Sequence, residues 1–226
     1  MQLVKQVIAH TIKPAYLPLR ARVSRRVYAG GADLETDGQI WLEELGLAAP
    51  GRGRYGPAQW SVLPRILPAR EVSDDDVFID YGSGMGRVVY QAAARYRFKR
   101  VIGLELSDHF NQIAQANLDR NSERLRCSNI ELITADAVEY EPPPDVTVAF
   151  FYNPFNGEIF ETALNKLLAN AERRLRIIYR YPVEHELMSR DPRLTEYKRL
   201  RGWRPGKAWS FSNSTIMYEY LPRSRT

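Results

Sequence analysis

Residues 77–87 read VFIDYGSGMGR, and the order of residue types in this stretch decides the fold. Val77 to Tyr81 form an apolar, β-branched and aromatic run of the kind that lies buried in a sheet. Three glycines at alternate positions, Gly82, Gly84 and Gly86, then turn the chain and let main chain approach a partner without Cβ atoms in the way. A helical pattern follows from residue 86 to 97. Strand, glycine turn and helix make the first step of a βαβ unit, so the rest of the chain is expected to repeat that rhythm.

It does repeat. RVIGLEL (100–106), IELITA (130–135), VTVAFFY (146–152) and LRIIYRY (175–181) read as further buried strands, with helical stretches over 107–121 and 156–173. The alternation predicts parallel pairing with right-handed crossovers. After residue 190 the rhythm breaks, and LTEYKRLRGW (194–203) and STIMYEYL (214–221) read as a hairpin closing one sheet edge. The expected fold class is α/β: a doubly wound, seven-strand, mostly parallel, Rossmann-like sheet with an antiparallel C-terminal hairpin and an N-terminal helical cap. The cap spans residues 1–70 and the main domain residues 71–226. Within the cap, apolar positions 3, 4, 7, 8 and 12 share a helical face, and Asp37 is placed to N-cap a helix through Leu45 that ends near Gly46. APGRGRYGP (49–57) reads as a hinge, and in the helix that follows Pro57 suits the first turn while Pro64 should kink or end it.

Composition bounds the class. With 226 residues, 44% hydrophobic and 26% charged, the chain has the make-up of one large globular domain rather than a disordered or disulfide-stapled one. Cys127 is the single cysteine, which rules out an internal disulfide, disfavours structural zinc and fits a reducing, cytoplasmic setting. No run approaches the length of a membrane span, and Lys5, Gln6 and His10 interrupt the first apolar stretch, so neither a membrane nor export is expected. The net charge of +5 is unevenly spread, with basic flanks and an acidic middle. RRLR (173–176) and KRLR (198–201) would be phosphate contacts in a nucleic-acid enzyme, but no RNA-binding or zinc-finger signature accompanies them.

The acids around the glycine loop indicate its ligand. A dinucleotide loop would place a glycine where Arg87 stands, and Asp80, two residues before Gly82, would repel a pyrophosphate but suits a cation. Glu105, closing the second strand, can accept hydrogen bonds from ribose hydroxyls. Asp136, after the third strand and beside Ala137, is placed for an exocyclic amino group. Taken singly, Glu105 is a solvated strand end and Asp136 an Asx turn. In this order on successive strands, the three acids point to an adenosine carrying a positive substituent.

That constellation resembles the class I, seven-strand S-adenosylmethionine-dependent methyltransferases over roughly residues 55–221. FIDYGSGMGRVV and GLELS look most like the nucleosomal lysine methyltransferases of the telomeric-silencing type and their bacterial relatives. The resemblance implies S-adenosylmethionine as cofactor. Asp80, Gly82, Ser83, Gly84 and Gly86 would hold its methionyl part, Glu105 with Leu106 the ribose, and Asp136 with Ala137 the adenine. Tyr55, in the RYGP turn, joins this set as an aromatic contact.

On the acceptor side, Tyr152-Asn153-Pro154-Phe155 departs from the motif those enzymes carry after the fourth strand. It is similar to the [Asp/Asn]-Pro-Pro-[aromatic] signature of methyltransferases acting on planar amino groups, without the second proline. Tyr152 and Asn153 are therefore the catalytic candidates, Asn153 also as a cofactor contact. Further aromatics, Trp60, Phe155, Tyr181, Trp203, Trp209 and Phe211, are candidates for lining an acceptor pocket. His10, His109 and His185 read as surface residues rather than bases. The expected function is methyl transfer to a nitrogen or oxygen of an acceptor, a small molecule or a protein side chain ahead of nucleic acid. Competing readings are a nicotinamide oxidoreductase on the same sheet and a cofactor-binding module without turnover.

Overall fold

The computed structural model describes residues 22–52, 54–201 and 214–222. The apolar face expected over residues 3–12 and the aromatics Trp203, Trp209 and Phe211 lie outside them.

Two short strands, β1 (Ile40–Trp41) and β2 (Arg54–Tyr55), pair antiparallel ahead of the main sheet. That sheet contains β3 (Val77–Tyr81), β4 (Arg100–Glu105), β5 (Ile130–Thr134), β6 (Val148–Phe151), β7 (Leu175–Arg180), β8 (Leu194–Leu200) and β9 (Thr215–Tyr220). Their spatial order is β5-β4-β3-β6-β7-β9-β8. Pairs from β5 to β7 are parallel, and β9 runs antiparallel to both β7 and β8. The terminal hairpin therefore inserts its second strand against the sheet and leaves its first as the edge. Winding proceeds from β3 out to β5, then resumes on the other side of β3 with β6. The crevice at that reversal, outside the carboxyl ends of β3 and β6, is where a doubly wound sheet binds ligands.

Helices cover both faces: α1 (22–28), α2 (Val62–Ile66), α3 (Arg87–Arg95), α4 (Asp108–Arg120), α5 (Glu158–Asn170) and α6 (His185–Arg190). Because strand side chains alternate, Phe78, Phe150 and Ile178 join one core with Val89, Leu63 and Ile66, while Ile79, Phe151 and Ile177 join the other with Phe160, Leu164 and Met188. Both faces are covered, which is why the strands read as continuous apolar runs rather than alternating ones.

Several local expectations change. Pro64 stands at the third residue of α2, where the first-turn N–H groups have no intrahelical partner, so it starts the helix instead of breaking it. Asp37 caps no helix, since Ile40 and Trp41 are extended and only a single 3-10 turn, Leu42–Leu45, follows, closed by Gly46 in the left-handed region. Helix α6 has no counterpart in the sequence reading. The arginine tracts are structural in large part: Arg176 pairs with Asp76 at 3.1 Å, Arg174 pairs with Glu219, and Lys198 donates to the Ile66 carbonyl at 2.9 Å.

Candidate active site

The glycine loop is fastened to the tip of β4. Gly82 and Ser83 N–H both donate to the Leu104 carbonyl, at 2.8 and 3.0 Å. Gly84 N–H donates to Glu105 Oε2 at 2.8 Å, and Ser107 N–H to Glu105 Oε1 at 3.0 Å. Glu105 thus ties loop and strand together, in addition to facing the cleft. All three loop glycines have positive φ, which L side chains rarely adopt. A Cβ on Gly84 would lie 2.4 Å from the Tyr55 ring, and one on Gly82 2.4 Å from Pro154 Cβ. The bare backbone is already closely approached from two sides.

The cleft above the loop is lined by Asp80, Gly82, Ser83, Glu105, Leu106, Asp136, Ala137, Tyr152, Asn153 and Tyr55. The fold therefore brings together these sequence-nominated residues from β2, the β3 loop and the ends of β4, β5 and β6. Gly84 joins them through its contact with the Tyr55 ring, while Gly86 is not part of the lining and caps α3, with Ala114 2.7 Å from where its Cβ would be. The enclosed space is about 110 Å3.

Two buried acids dominate its electrostatics. Burial drives the Asp80 carboxyl well above the ordinary carboxylate range, and the neighbouring Glu105 adds to the effect. Burial raises Glu105 as well, against the N–H groups of Ser107, Gly84 and Leu106 that hold it down. Among the described residues Asp80 has no cation within ion-pair distance. A buried carboxylate without a counter-charge is costly, so the chemistry of the cleft calls for a cation.

Asp136 is engaged differently. Its Oδ2 forms a short ion pair with Arg52, and its Oδ1 accepts from Val138 N–H at 3.1 Å, so the Asx turn and the cleft position coexist. The Arg52 backbone bridges to Phe155, and Asn156 N–H donates to the Gly51 carbonyl at 2.9 Å. Arg52, Arg54 and Tyr55, all in the cleft lining, therefore form a strap between the β5 end, where Arg52 meets Asp136, and the β6 end, where it bridges to Phe155.

Arg87 fastens the chain on either side of that strap. Its guanidinium donates to Thr36 Oγ1 at 2.9 Å, the Thr36 carbonyl at 3.0 Å, the Ala58 carbonyl at 3.0 Å and Asp37 Oδ1 at 2.5 Å, and it lies 4.5 Å from the Trp60 ring centroid. Tyr55 donates its hydroxyl to the same Thr36 carbonyl at 2.8 Å, and its ring packs 5.0 Å from Phe110. From the other side Asn117 and Asn121 read the extended segment like strand partners, since each accepts from an N–H and donates to a C=O, of Glu35 and Asp33 respectively. The departure from a dinucleotide glycine pattern at Arg87 thus has a structural cause. Sequence reasoning missed Arg52, Thr36, Asn117 and Phe110; the outward acids of ADLETD (32–37) alternating with buried residues were the one local signal of a docked strand.

At the end of β6, Asn153 has φ +43°, and its Oδ1 is buried without a hydrogen-bond partner among the described residues. Tyr181, at the end of neighbouring β7, also has positive φ, and its ring lies 6.0 Å from that of Tyr152. His185 stands away from the cleft, its Nδ1 at the Tyr218 hydroxyl and its Nε2 3.4 Å from Arg199. Among the described residues no cluster of three or more His, Cys, Asp or Glu side chains is arranged to hold a metal, and no helix is long and apolar enough to cross a membrane.

A family model described as "Histone methylation protein DOT1" matches residues 51–193, from the strap through β7 and α6. The chain belongs to the DOT1 family. It is a methyltransferase. Within or near this family, a protein-lysine N-methyltransferase of Saccharolobus islandicus is 27% identical over 151 residues, 67% of this chain and 80% of that protein. The H3 lysine-79 specific histone-lysine N-methyltransferase of Drosophila melanogaster is 41% identical over 54 residues, 24% of this chain and 3% of that protein. Among solved structures, the precorrin-6y C5,15-methyltransferase of Geobacter metallireducens superposes with a TM-score of 0.54 at 16% identity, covering 73% of this chain and 90% of that one, which is a likeness of fold.

Proposed function

We propose that this DOT1-family protein binds S-adenosylmethionine against the Gly82–Gly86 loop and transfers its methyl group to an amine nitrogen, with a protein lysine as the acceptor. The observation that carries the reading is the pair of buried acids, Asp80 and Glu105, with no cation beside Asp80 among the described residues. S-adenosylmethionine supplies an electrophilic methyl on a sulfonium and a protonated amino group, both cationic. Asp80 with the glycine loop would bind the positive, methionyl side of that molecule, Glu105 with Leu106 the ribose, and Asp136 with Ala137 the adenine, Tyr55 closing over the loop.

Asn153 Oδ1, buried and without a partner, would accept a hydrogen from the acceptor nitrogen and orient its lone pair, with Tyr152 beside it. A lysine would react as the neutral amine, its ammonium proton first lost to water; in-line displacement then needs alignment more than a strong base, so an orienting carbonyl oxygen suffices. The lysine acceptor draws support from the Saccharolobus islandicus relative, which spans most of this chain.

Calorimetry with S-adenosylmethionine and with NAD tests the cofactor: saturable binding of the former alone is expected, and preference for NAD overturns the reading. For the acceptor step, Asn153→Ala should lower kcat about 10²-fold with cofactor affinity within threefold. An unchanged kcat, scored by labelled methyl transfer into cell lysate, removes Asn153 from the chemistry.

A further inference from the structure

Charged side chains in this molecule mostly sit beside their opposites. In the cleft Arg52 pairs with Asp136, and Arg54 and Arg87 share the lining with Asp80 and Glu105. A groove beneath α5 and α6 mixes Arg190 and Arg193 with Glu161, Glu184, Glu186 and Asp191, and one at the amino ends of β6 and β7 mixes four arginines with Glu71 and Asp76.

One groove breaks the rule. Between residues 27–30, the second half of α3 and the segment after α4 lies a depression of about 440 Å3 lined by Arg95, Arg124 and Arg126, with Tyr90 and Gln91 and with no acid among the described residues that line it. None of the three arginines has a carboxylate within 4.0 Å among the described residues, and all three are exposed. Arg124 is steadied by donating to the Gly30 carbonyl at 2.7 Å, which leaves donors of its fork unused. Its charge also reaches the buried Tyr90, whose hydroxyl burial pushes up and Arg124 pulls back.

We propose that this groove docks the phosphate backbone of a nucleic acid. Three guanidiniums around one concavity, with no internal counter-charge, repel one another until an anion joins them, and their planar forks match phosphate oxygens two at a time. They come from two separate stretches of chain, so a polymer with regularly repeated charges satisfies them better than a single ion. The tracts 173–176 and 198–201, the arginine-rich runs of the sequence, are not part of this surface and are largely paired elsewhere. Within the groove, Arg95 stands at the far end of α3 from the glycine loop, about 12 Å along the helix axis at 1.5 Å per residue. Nucleic acid held there leaves the cleft mouth open to an acceptor, so docking is separable from the methyl-transfer reading.

The test uses the full chain and fluorescein-labelled 20-nucleotide RNA and duplex DNA, followed by anisotropy from 50 to 200 mM salt. Binding that weakens with salt is expected. The triple variant Arg95→Gln/Arg124→Gln/Arg126→Gln should lose at least tenfold in affinity at 100 mM salt and flatten the logarithmic salt slope by about two to three. Cofactor affinity measured on the same preparation checks that the variant is folded, and the triple variant Arg173→Gln/Arg190→Gln/Arg193→Gln controls for bulk charge. Absence of binding at 50 mM salt, or equal losses in the two variants, overturns the proposal. Equal competition by polyglutamate or by phosphatidylserine vesicles overturns it in favour of an acidic protein or a membrane surface.

Discussion

Asp80 in β3 and Asp76, the residue just before that strand, show how burial and partnership set opposite pH responses. Burial, with Glu105 beside it, raises the Asp80 carboxyl in the folded state, so its contribution to stability is full below the ordinary carboxyl pKa and lost as pH rises through the elevated one. A cationic ligand reverses that balance by favouring the ionised form. Affinity for S-adenosylmethionine should therefore rise with pH through the titration of Asp80 and Glu105, with proton release on binding, measurable by calorimetry in buffers of different ionisation enthalpy. Asp80→Asn should abolish most of the release and weaken binding about tenfold or more; a pH-independent affinity in the parent protein would contradict the assignment. At Asp76, burial acts upward, but Ser73 N–H, the Thr147 hydroxyl and Arg176 together hold the carboxyl below its ordinary value. Its stabilisation is present above the unfolded pKa and disappears as pH falls. At Gly84, alanine faces φ +54° and a Tyr55 ring 2.4 Å from its Cβ. Gly84→Ala should cost about 1–3 kcal/mol by chemical denaturation and lose cofactor binding, because the ring must move; an unshifted midpoint would mean the ring yields freely.

Among the elements, the segments that flank the strap, residues 32–38 and 56–58, have little regular structure, yet Arg87, Asn117 and Asn121 fix them beside the cleft. Asn117 is fully buried and serves Glu35 N–H, the Glu35 carbonyl and the Met85 carbonyl at once. Asn117→Ala leaves these groups without partners and should cost about 2–3 kcal/mol. Arg87→Gln should expose Arg52 and Arg54 to trypsin several times faster in limited proteolysis and weaken cofactor binding, with Arg87→Lys intermediate. Protection equal to that of the parent would show the strap is held without the guanidinium. His185 belongs to a different element set, α6 against β8 and β9, and His185→Ala should leave methyl transfer within twofold while changing only stability.

Across the whole molecule, the two ends of the parallel strands do different work. The carboxyl ends carry the cleft; the amino ends carry the buried Arg176–Asp76 pair, which also engages Glu71 through its carbonyl. Strand rise puts Asp76 about 13 Å from Asp80. Asp76→Ala leaves Arg176 buried and unpaired, so it should destabilise the fold by about 3–5 kcal/mol while leaving the cofactor Kd of the remaining folded protein within twofold. A large change in that Kd would mean that the two ends are energetically coupled.

The run VFIDYGSGMGR was enough to place the first strand and its glycine turn, the helix expected over 86–97 runs from Arg87 to Arg95, and the later strands of the parallel half followed to within one or two residues. Strands buried on both faces and helices with one apolar side write their periodicity into the local sequence, and glycine at positive φ marks the loop directly. The positions of Asp80, Glu105, Asp136 and Asn153 were legible for the same reason, since a doubly wound sheet brings its strand ends to one crevice. What only the tertiary structure decided is who meets those residues: Arg52 on Asp136, Tyr55 over Gly84, Arg87 holding Thr36, and Asn117 reading residue 35 from 82 positions away. Irregular backbone satisfies its hydrogen bonds with distant side chains instead of a repeating ladder, and such pairings have no period for a sequence to display.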